Sequence, residues 1–322
     1  LNRAIIRVGI LVLVVLLAAS GCSSGGGDDA SADGKLKVQT SMYPLAFFAE
    51  EIGGKHVEVT HAVPAGADPH SYEPTAREVV EISEADVFLY NGVGFEGWID
   101  QVKKTLDGEK TTVVETAKGI PLIEADEAHG HHEEEHGHSQ EEGHGHGDHD
   151  PHVWLDPLRA KKQAATIRDA LVKKDPEHKE AYEKNYDKLA GKLDRLHEKF
   201  KKTVEKGDKK TFVVSHAAFG YIADRYGLNQ VAVSGLSPSD EPSAKELREV
   251  VKIARKHKVN YILFETLVNG KVAKAVQKEV GARSLTLHPL EGLTPAEKKK
   301  GENYFTLMEK NIDHLGKALG AK

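Results

Sequence analysis

A chain of 322 residues, 39% apolar and 29% charged, has the material for a packed core of more than one domain and none of the bias of a disordered or fibrous protein. Its net charge of −6 is concentrated, because residues 124–150 hold ten Asp or Glu and no Lys or Arg, which leaves +4 elsewhere and no basic excess to suit a nucleic acid. A single cysteine, Cys22, excludes an intrachain disulfide, a thiolate metal cluster and a Cys-x-x-Cys redox centre.

Taken in chain order, residues 1–21 read as an export signal: Arg3 and Arg7 form a basic start, and the stretch 5–18 is almost wholly apolar and leads into the small residues Ala18, Ala19, Ser20 and Gly21. The run is shorter than the about 20 residues that span a bilayer. Residues 22–34, rich in Ser, Gly and Asp, have the composition of a flexible tether. From residue 35 short apolar strands at 36–40, 57–63 and 87–90 alternate with helical patterns at 44–52, stopped by Gly53 and Gly54, and at 77–84. Such alternation predicts βαβ units and a parallel sheet, here an N-terminal α/β lobe over 35–175. In residues 176–206 the apolar Tyr182, Tyr186, Leu189, Leu193, Leu196 and Phe200 recur at steps of four and three, the pattern of one amphipathic helix. Some 30 helical residues reach about 45 Å, enough to brace two lobes rigidly. A C-terminal α/β lobe over 207–322 repeats the scheme, with strands at 212–215, 231–234 and 261–264 and helices at 221–226, 244–257, 272–280 and 304–319. The fold class is therefore α/β, two βα lobes with parallel sheets on either side of a long helix.

The chemistry-bearing residues are histidines. His129, His131, His132, His136, His138, His144, His146 and His149 are interleaved with Glu, Asp and Gly in the stretch 124–150, which is too polar to build a core. Imidazole is a common zinc ligand, so this His-rich loop is expected to assemble weak, interchangeable metal sites. Three others stand apart from it in turns or at strand ends: His70 in Asp68-Pro69-His70-Ser71, His152 in Asp150-Pro151-His152-Val153, and His216 directly after the strand at 212–215. Ligands of open α/β sheets bind beyond the carboxyl ends of the strands, which makes a shared metal site the expectation for these three.

Two resemblances add to this reading. Small residues directly before Cys22 resemble the lipobox of bacterial lipoproteins, with Ala19 where that motif usually has Leu, and imply a lipid on the Cys22 thiol and a cell-membrane location outside the cytoplasm. The segments Ser41-Met42-Tyr43-Pro44, Asp68-Pro69-His70-Ser71-Tyr72-Glu73-Pro74, Asp150-Pro151-His152-Val153-Trp154-Leu155-Asp156-Pro157, Ser215-His216-Ala217-Ala218-Phe219 and Phe264-Glu265-Thr266-Leu267 follow the order found in the zinc and manganese solute-binding proteins of ABC transporters, so the mature chain resembles that family. The resemblance implies Zn2+ in the cleft between the lobes, held by His70, His152 and His216 with a carboxylate, and delivery to an ABC-type membrane permease by a monomer. Zinc rather than manganese is implied because the manganese branch usually has Glu at the position of His216 and lacks the His-rich loop. For the fourth ligand the stretch Ser284-Leu285-Thr286-Leu287-His288-Pro289-Leu290-Glu291 looks like the subgroup that uses Glu291, with His288 and Glu265 as alternatives.

Two other classes compete with this receptor. A zinc hydrolase needs an open coordination position and a general base, and no His-Glu-x-x-His helix is present to supply the usual arrangement, which leaves Glu73 or Glu265 for the role. A surface adhesin or metal buffer would use the tether and the His tract alone.

Overall fold

The computed structural model describes residues 34–125, 148–267 and 270–321, and Lys35–Lys322 forms a compact unit of its own. Its first half runs β1 (Leu36–Thr40), α1 (Tyr43–Gly53), β2 (Val57–His61), α2 (Ala76–Ser83), β3 (Val87–Tyr90), α3 (Ile99–Lys103) and β4 (Thr112–Glu115). These strands form a parallel sheet of order β2-β1-β3-β4, in which Val38 pairs with both Val59 and Val87. After α4 (Pro157–Lys174) and α5 (Lys179–Glu205) the scheme returns as β5 (Thr211–Val214), α6 (Gly220–Tyr226), β6 (Asn229–Ala232), α7 (Ala244–Lys256), β7 (Tyr261–Phe264), α8 (Lys271–Val280) and β8 (Arg283–Thr286). The second sheet, β6-β5-β7-β8, has the same order and is also parallel. Short α9 (Pro295–Lys299) and α10 (Tyr304–Leu319) complete the described chain.

Two-sided burial explains the near-continuous apolar strands. Phe212 and Val214 face inward to a cluster that also holds Leu45, Phe48 and Ile52 of α1, Leu189, Leu193, Leu196 and Phe200 of α5, and Leu307, Met308 and Ile312 of α10. This single core runs from one sheet to the other through α5. The intervening Val213 faces the opposite side, where α7 and α8 cover the sheet with Val250, Ala254, Ala273 and Val276. In the N-terminal lobe α2 and α3 make the matching outer layer through Ile82, Trp98 and Val102 against Phe88 and Tyr90.

The long helix begins later than residue 176: Pro176–His178 is a 3-10 turn, and the α-helix occupies 27 residues from Lys179. Strands β5 and β6 start earlier than expected, because Thr211, Asn229 and Gln230 take part in the ladder despite their polarity. Five elements escaped the pattern reading: α3, β4, the 18-residue α4, β8 and α9. α3, β4, β8 and α9 are very short, and the buried face of α4 mixes Ala160, Ala164 and Ala170 with the polar Arg159 and Gln163, which gives little hydrophobic contrast.

Candidate metal centre

Loops at the carboxyl ends of both sheets supply the site. His70 lies on the connection from β2 to α2, His216 two residues after β5, and Glu291 on the turn that follows β8. His152 directly precedes the 3-10 turn Val153–Leu155 that leads into α4. One ligand atom from each of these four side chains can be chosen so that all lie within 4.8 Å of one another. Glu291 Oε1 is 3.1 Å from His70 Nε2, 3.5 Å from His152 Nε2 and 3.5 Å from His216 Nε2, and the Nε2 atoms of His70 and His152 are 3.4 Å apart. Zn–N and Zn–O bonds of about 2.0–2.2 Å in tetrahedral array give ligand-to-ligand edges of about 3.3–3.5 Å. These four spacings are close to the edges of such a tetrahedron. His152 and His216 are wholly buried, and Glu291 is 2% exposed. Both ring nitrogens of the buried His216 lack a hydrogen bond among the described residues and stand near carboxylates, Nδ1 at Glu265 and Nε2 at Glu291.

Further carboxylates fix the rings. His152 Nδ1 donates to Asp150 Oδ1 at 2.8 Å, the same oxygen that accepts the His152 backbone N–H at 2.8 Å, and His216 Nδ1 faces Glu265 Oε1 at 2.6 Å. With Nδ1 occupied in this way, Nε2 is left with its lone pair for a metal and its basicity is raised. Electrostatics follow from this crowding. Burial would raise the Glu291 carboxyl, yet His70, His152 and His216 outweigh it and hold the group well below the usual carboxylate range. Burial opposes the charged imidazole of His216, but Glu265 and Glu291 together push it up to about 10. His152 is likewise raised, burial being overcome by Asp150 and Glu291. Three carboxylates around three imidazoles thus make a pocket that attracts protons when no metal is bound and a divalent cation in their place.

The segment around His152 is clamped on every side. Tyr221 Oη donates to the Asp150 carbonyl at 2.5 Å, Asn91 Nδ2 to the Pro151 carbonyl at 3.0 Å, and Tyr304 Oη to the Trp154 carbonyl at 2.6 Å. Trp154 Nε1 donates to the Pro289 carbonyl at 2.7 Å and so ties this segment to the Glu291 turn. The Phe95 ring stands 4.8 Å from that of His70 and 5.2 Å from that of Trp154, closing one wall with apolar surface.

Of the alternative fourth ligands, neither joins the cluster. Glu265 is engaged with His216 and with the Ser215 hydroxyl. His288 accepts the Leu290 backbone N–H on Nδ1 at 2.9 Å and turns Nε2 toward Glu297 Oε1 at 3.3 Å, while Asn311 brackets its backbone on both sides. It braces the turn in which Leu290 takes a φ of 58° and presents Glu291. His149 sits beside Glu124, with Nε2 3.4 Å from its carboxylate, where the two arms of the His-rich loop meet. His129, His131, His132, His136, His138, His144, His146 and Cys22 lie outside the described residues. Asp150, Phe95 and the aromatic clamps were not picked out as site residues, although the spacing Asp-x-His is a legible sign of a carboxylate placed on an imidazole.

Residues 38–318 match the family model for the zinc-uptake complex component A, periplasmic, known as ZnuA. The chain belongs to this family. It is 39% identical over 294 residues to the high-affinity zinc uptake system protein ZnuA of Bacillus subtilis, covering 91% of this chain and 90% of that one. It is 41% identical over 290 residues to the zinc-binding protein AdcA of Streptococcus pyogenes, covering 88% of this chain but 56% of the relative, so the chain spans about half the length of the streptococcal proteins it matches. Among solved structures of the family's fold, the Zn(II)-bound ZnuA-like domain of Streptococcus pneumoniae AdcA superposes with a TM-score of 0.74 at 37% identity, over 89% of this chain and 99% of that one.

Proposed function

We propose that the chain is the extracytoplasmic receptor of a bacterial zinc uptake system, which captures Zn2+ between its lobes and delivers it to an ABC-type membrane permease. The observation that carries this reading is the convergence of His70, His152, His216 and Glu291 in one group whose ligand atoms lie within 4.8 Å of one another and whose side chains are almost wholly buried. Three nitrogens and one carboxylate suit zinc, whereas an oxygen-rich set suits manganese. Four protein groups also fill a tetrahedron without leaving the open position that catalytic zinc keeps for water, which favours a carrier over a hydrolase. The names of relatives agree, among them a zinc-binding lipoprotein of Streptococcus pneumoniae that is 40% identical over 288 residues. In this reading residues 35–175 and 207–322 are the two lobes and 176–206 the linking segment. The His-rich loop 124–150 captures metal locally, and a lipid on Cys22 holds a monomeric chain at the cell membrane. Native mass spectrometry of the chain from Gly25 onward, with zinc and manganese in competition, tests the proposal. One tightly held zinc that survives excess manganese, and is lost on His216→Ala, is the expected result. Tight binding that persists in variants of all four residues would place the metal elsewhere.

A further inference from the structure

The outer layers of the two lobes differ in charge although they are built alike. α2 and α3 together hold two cations and three anions. Their counterparts α7 and α8 hold eight Lys or Arg and three Glu. The cations follow helical spacing: Lys245, Arg248, Lys252 and Arg255 recur at steps of three and four along α7, as do Lys271, Lys274 and Lys278 along α8. Each helix therefore carries a basic stripe on the side opposite its buried Val250 and Ala254, or Ala273 and Val276. All three anions are already engaged, Glu246 with the Ser243 backbone N–H at 2.6 Å, Glu249 with Lys252 at 3.1 Å and Glu279 with Arg255 at 2.7 Å. Lys245, Arg248, Lys256, Lys271, Lys274 and Lys278 are exposed and have no ion-pair partner among the described residues.

From this we propose that the α7–α8 face is an electrostatic docking surface for anionic phospholipid headgroups. Covering the sheet requires only the inward residues of these helices, and the α2–α3 layer does the same task without a cationic excess, so the fold does not explain the two stripes. Spread over the outer sides of two helices, they suit an extended anionic surface better than a single phosphate, which calls for converging donors. A bilayer is the surface that a chain attached through Cys22 meets continuously; the inference rests on that reading of the N-terminus. Contact of this kind sets which side of the receptor faces the lipid and is screened by salt.

The zinc-loaded chain from Gly25 onward, which keeps the compact unit and lacks the lipid, is sedimented with vesicles of phosphatidylglycerol and phosphatidylcholine in equal parts or of phosphatidylcholine alone. Partition onto the anionic vesicles only, lost at high salt, is expected. Reversal of Lys271, Lys274 and Lys278 to Glu lowers it at least about tenfold, given roughly 1 kcal/mol for each basic residue near such a surface. Reversal of the exposed Lys184, Lys188 and Lys201 on α5 leaves it within about twofold, since long-range terms between exposed charges are screened. Zinc stoichiometry measured on the same samples reports folding and the receptor reading separately from the lipid contact. No partition onto anionic vesicles, an equal loss in the α5 variant, or binding of soluble polyphosphate without vesicle partition overturns the proposal.

Discussion

Arg225 Nε lies 2.5 Å from Asp156 Oδ1, so that a fully buried carboxylate joins the helix after β5 to the start of α4. Arg159 Nη1 reaches the other oxygen at 2.7 Å, and Oδ1 also caps α4 by accepting the Leu158 N–H at 3.0 Å. Asp156 lies four residues beyond His152 and Arg225 nine beyond His216, so the pair sets the spacing of two segments that carry site residues. Asp156→Asn keeps the cap but takes the counter-charge from Arg225 and leaves Arg159 with Asp224 alone, 3.1 Å away. It should destabilise the metal-free chain by about 3 kcal/mol, the lower end for a broken buried pair, because the Arg225 side chain is 26% exposed. Urea unfolding measures it; a loss under about 1 kcal/mol would mean that the pair behaves as a surface one.

The carboxylates behind the imidazoles should matter for affinity out of proportion to stability. Asp150→Asn and Glu265→Gln each preserve shape while removing the charge that orients His152 or His216. A fall of about 10–100-fold in zinc affinity is expected from each. His152→Ala, which removes the ligand atom itself, should cost more than either. Chelator competition ranks the three, and equal affinity for Asp150→Asn and the parent would reduce Asp150 to a structural partner.

Zinc must displace protons. The His216 imidazole is pushed up to about 10 in the metal-free chain, so it is protonated at neutral pH and has to release that proton to bind metal. Affinity should therefore climb steadily with pH from 6 to 9, and calorimetry in buffers of different ionisation enthalpy should find at least one proton released per zinc at pH 7.5. Stability of the metal-free chain moves the other way. A raised imidazole contributes stability that is complete below its unfolded value near 6.5 and fades as pH rises toward 10. Glu291, held low, contributes stability that is present above its ordinary 4.5 and is lost as pH falls below it. The urea midpoint of the metal-free chain should peak between these limits, near pH 5 to 6.5.

Deleting residues 128–147 should lower the number of zinc ions bound and leave the tightest dissociation constant within about threefold, or roughly 0.65 kcal/mol. Ala125 N donates to the Asp148 carbonyl at 2.9 Å and Asp150 N to that of Ile123 at 3.0 Å, so the deletion ends where the arms are already paired. Loss of the tightest site in titration against a chelator of known affinity would give the loop a primary ligand.

Strand alternation in β1, β3 and β7 and the apolar steps of α5 were legible because burial on two faces or along one stripe leaves a periodic trace. The candidate site was legible through His70, His152 and His216, each of which stands in polar turn chemistry. Glu291 could not be separated from His288 by pattern, since both occupy one turn, and only the contacts of His288 with Leu290 and Asn311 assign it to bracing. Long-range partners such as Arg225 for Asp156 or Tyr221 for Asp150 leave no local trace, because tertiary packing alone brings them together.

The antiparallel bridge between Glu124 and His149 brings two points of the chain 25 residues apart side by side. A chain that leaves and re-enters the fold at adjoining points forms a natural splice junction, and lengthening what lies between costs only about 0.6 kcal/mol per doubling. A fluorescent domain whose own termini are close together can be grafted there with only Asp150 and Pro151 between the graft's anchor at His149 and His152. Such a chimera would convert occupancy of the cleft into light emission, a reporter for zinc outside the cytoplasm.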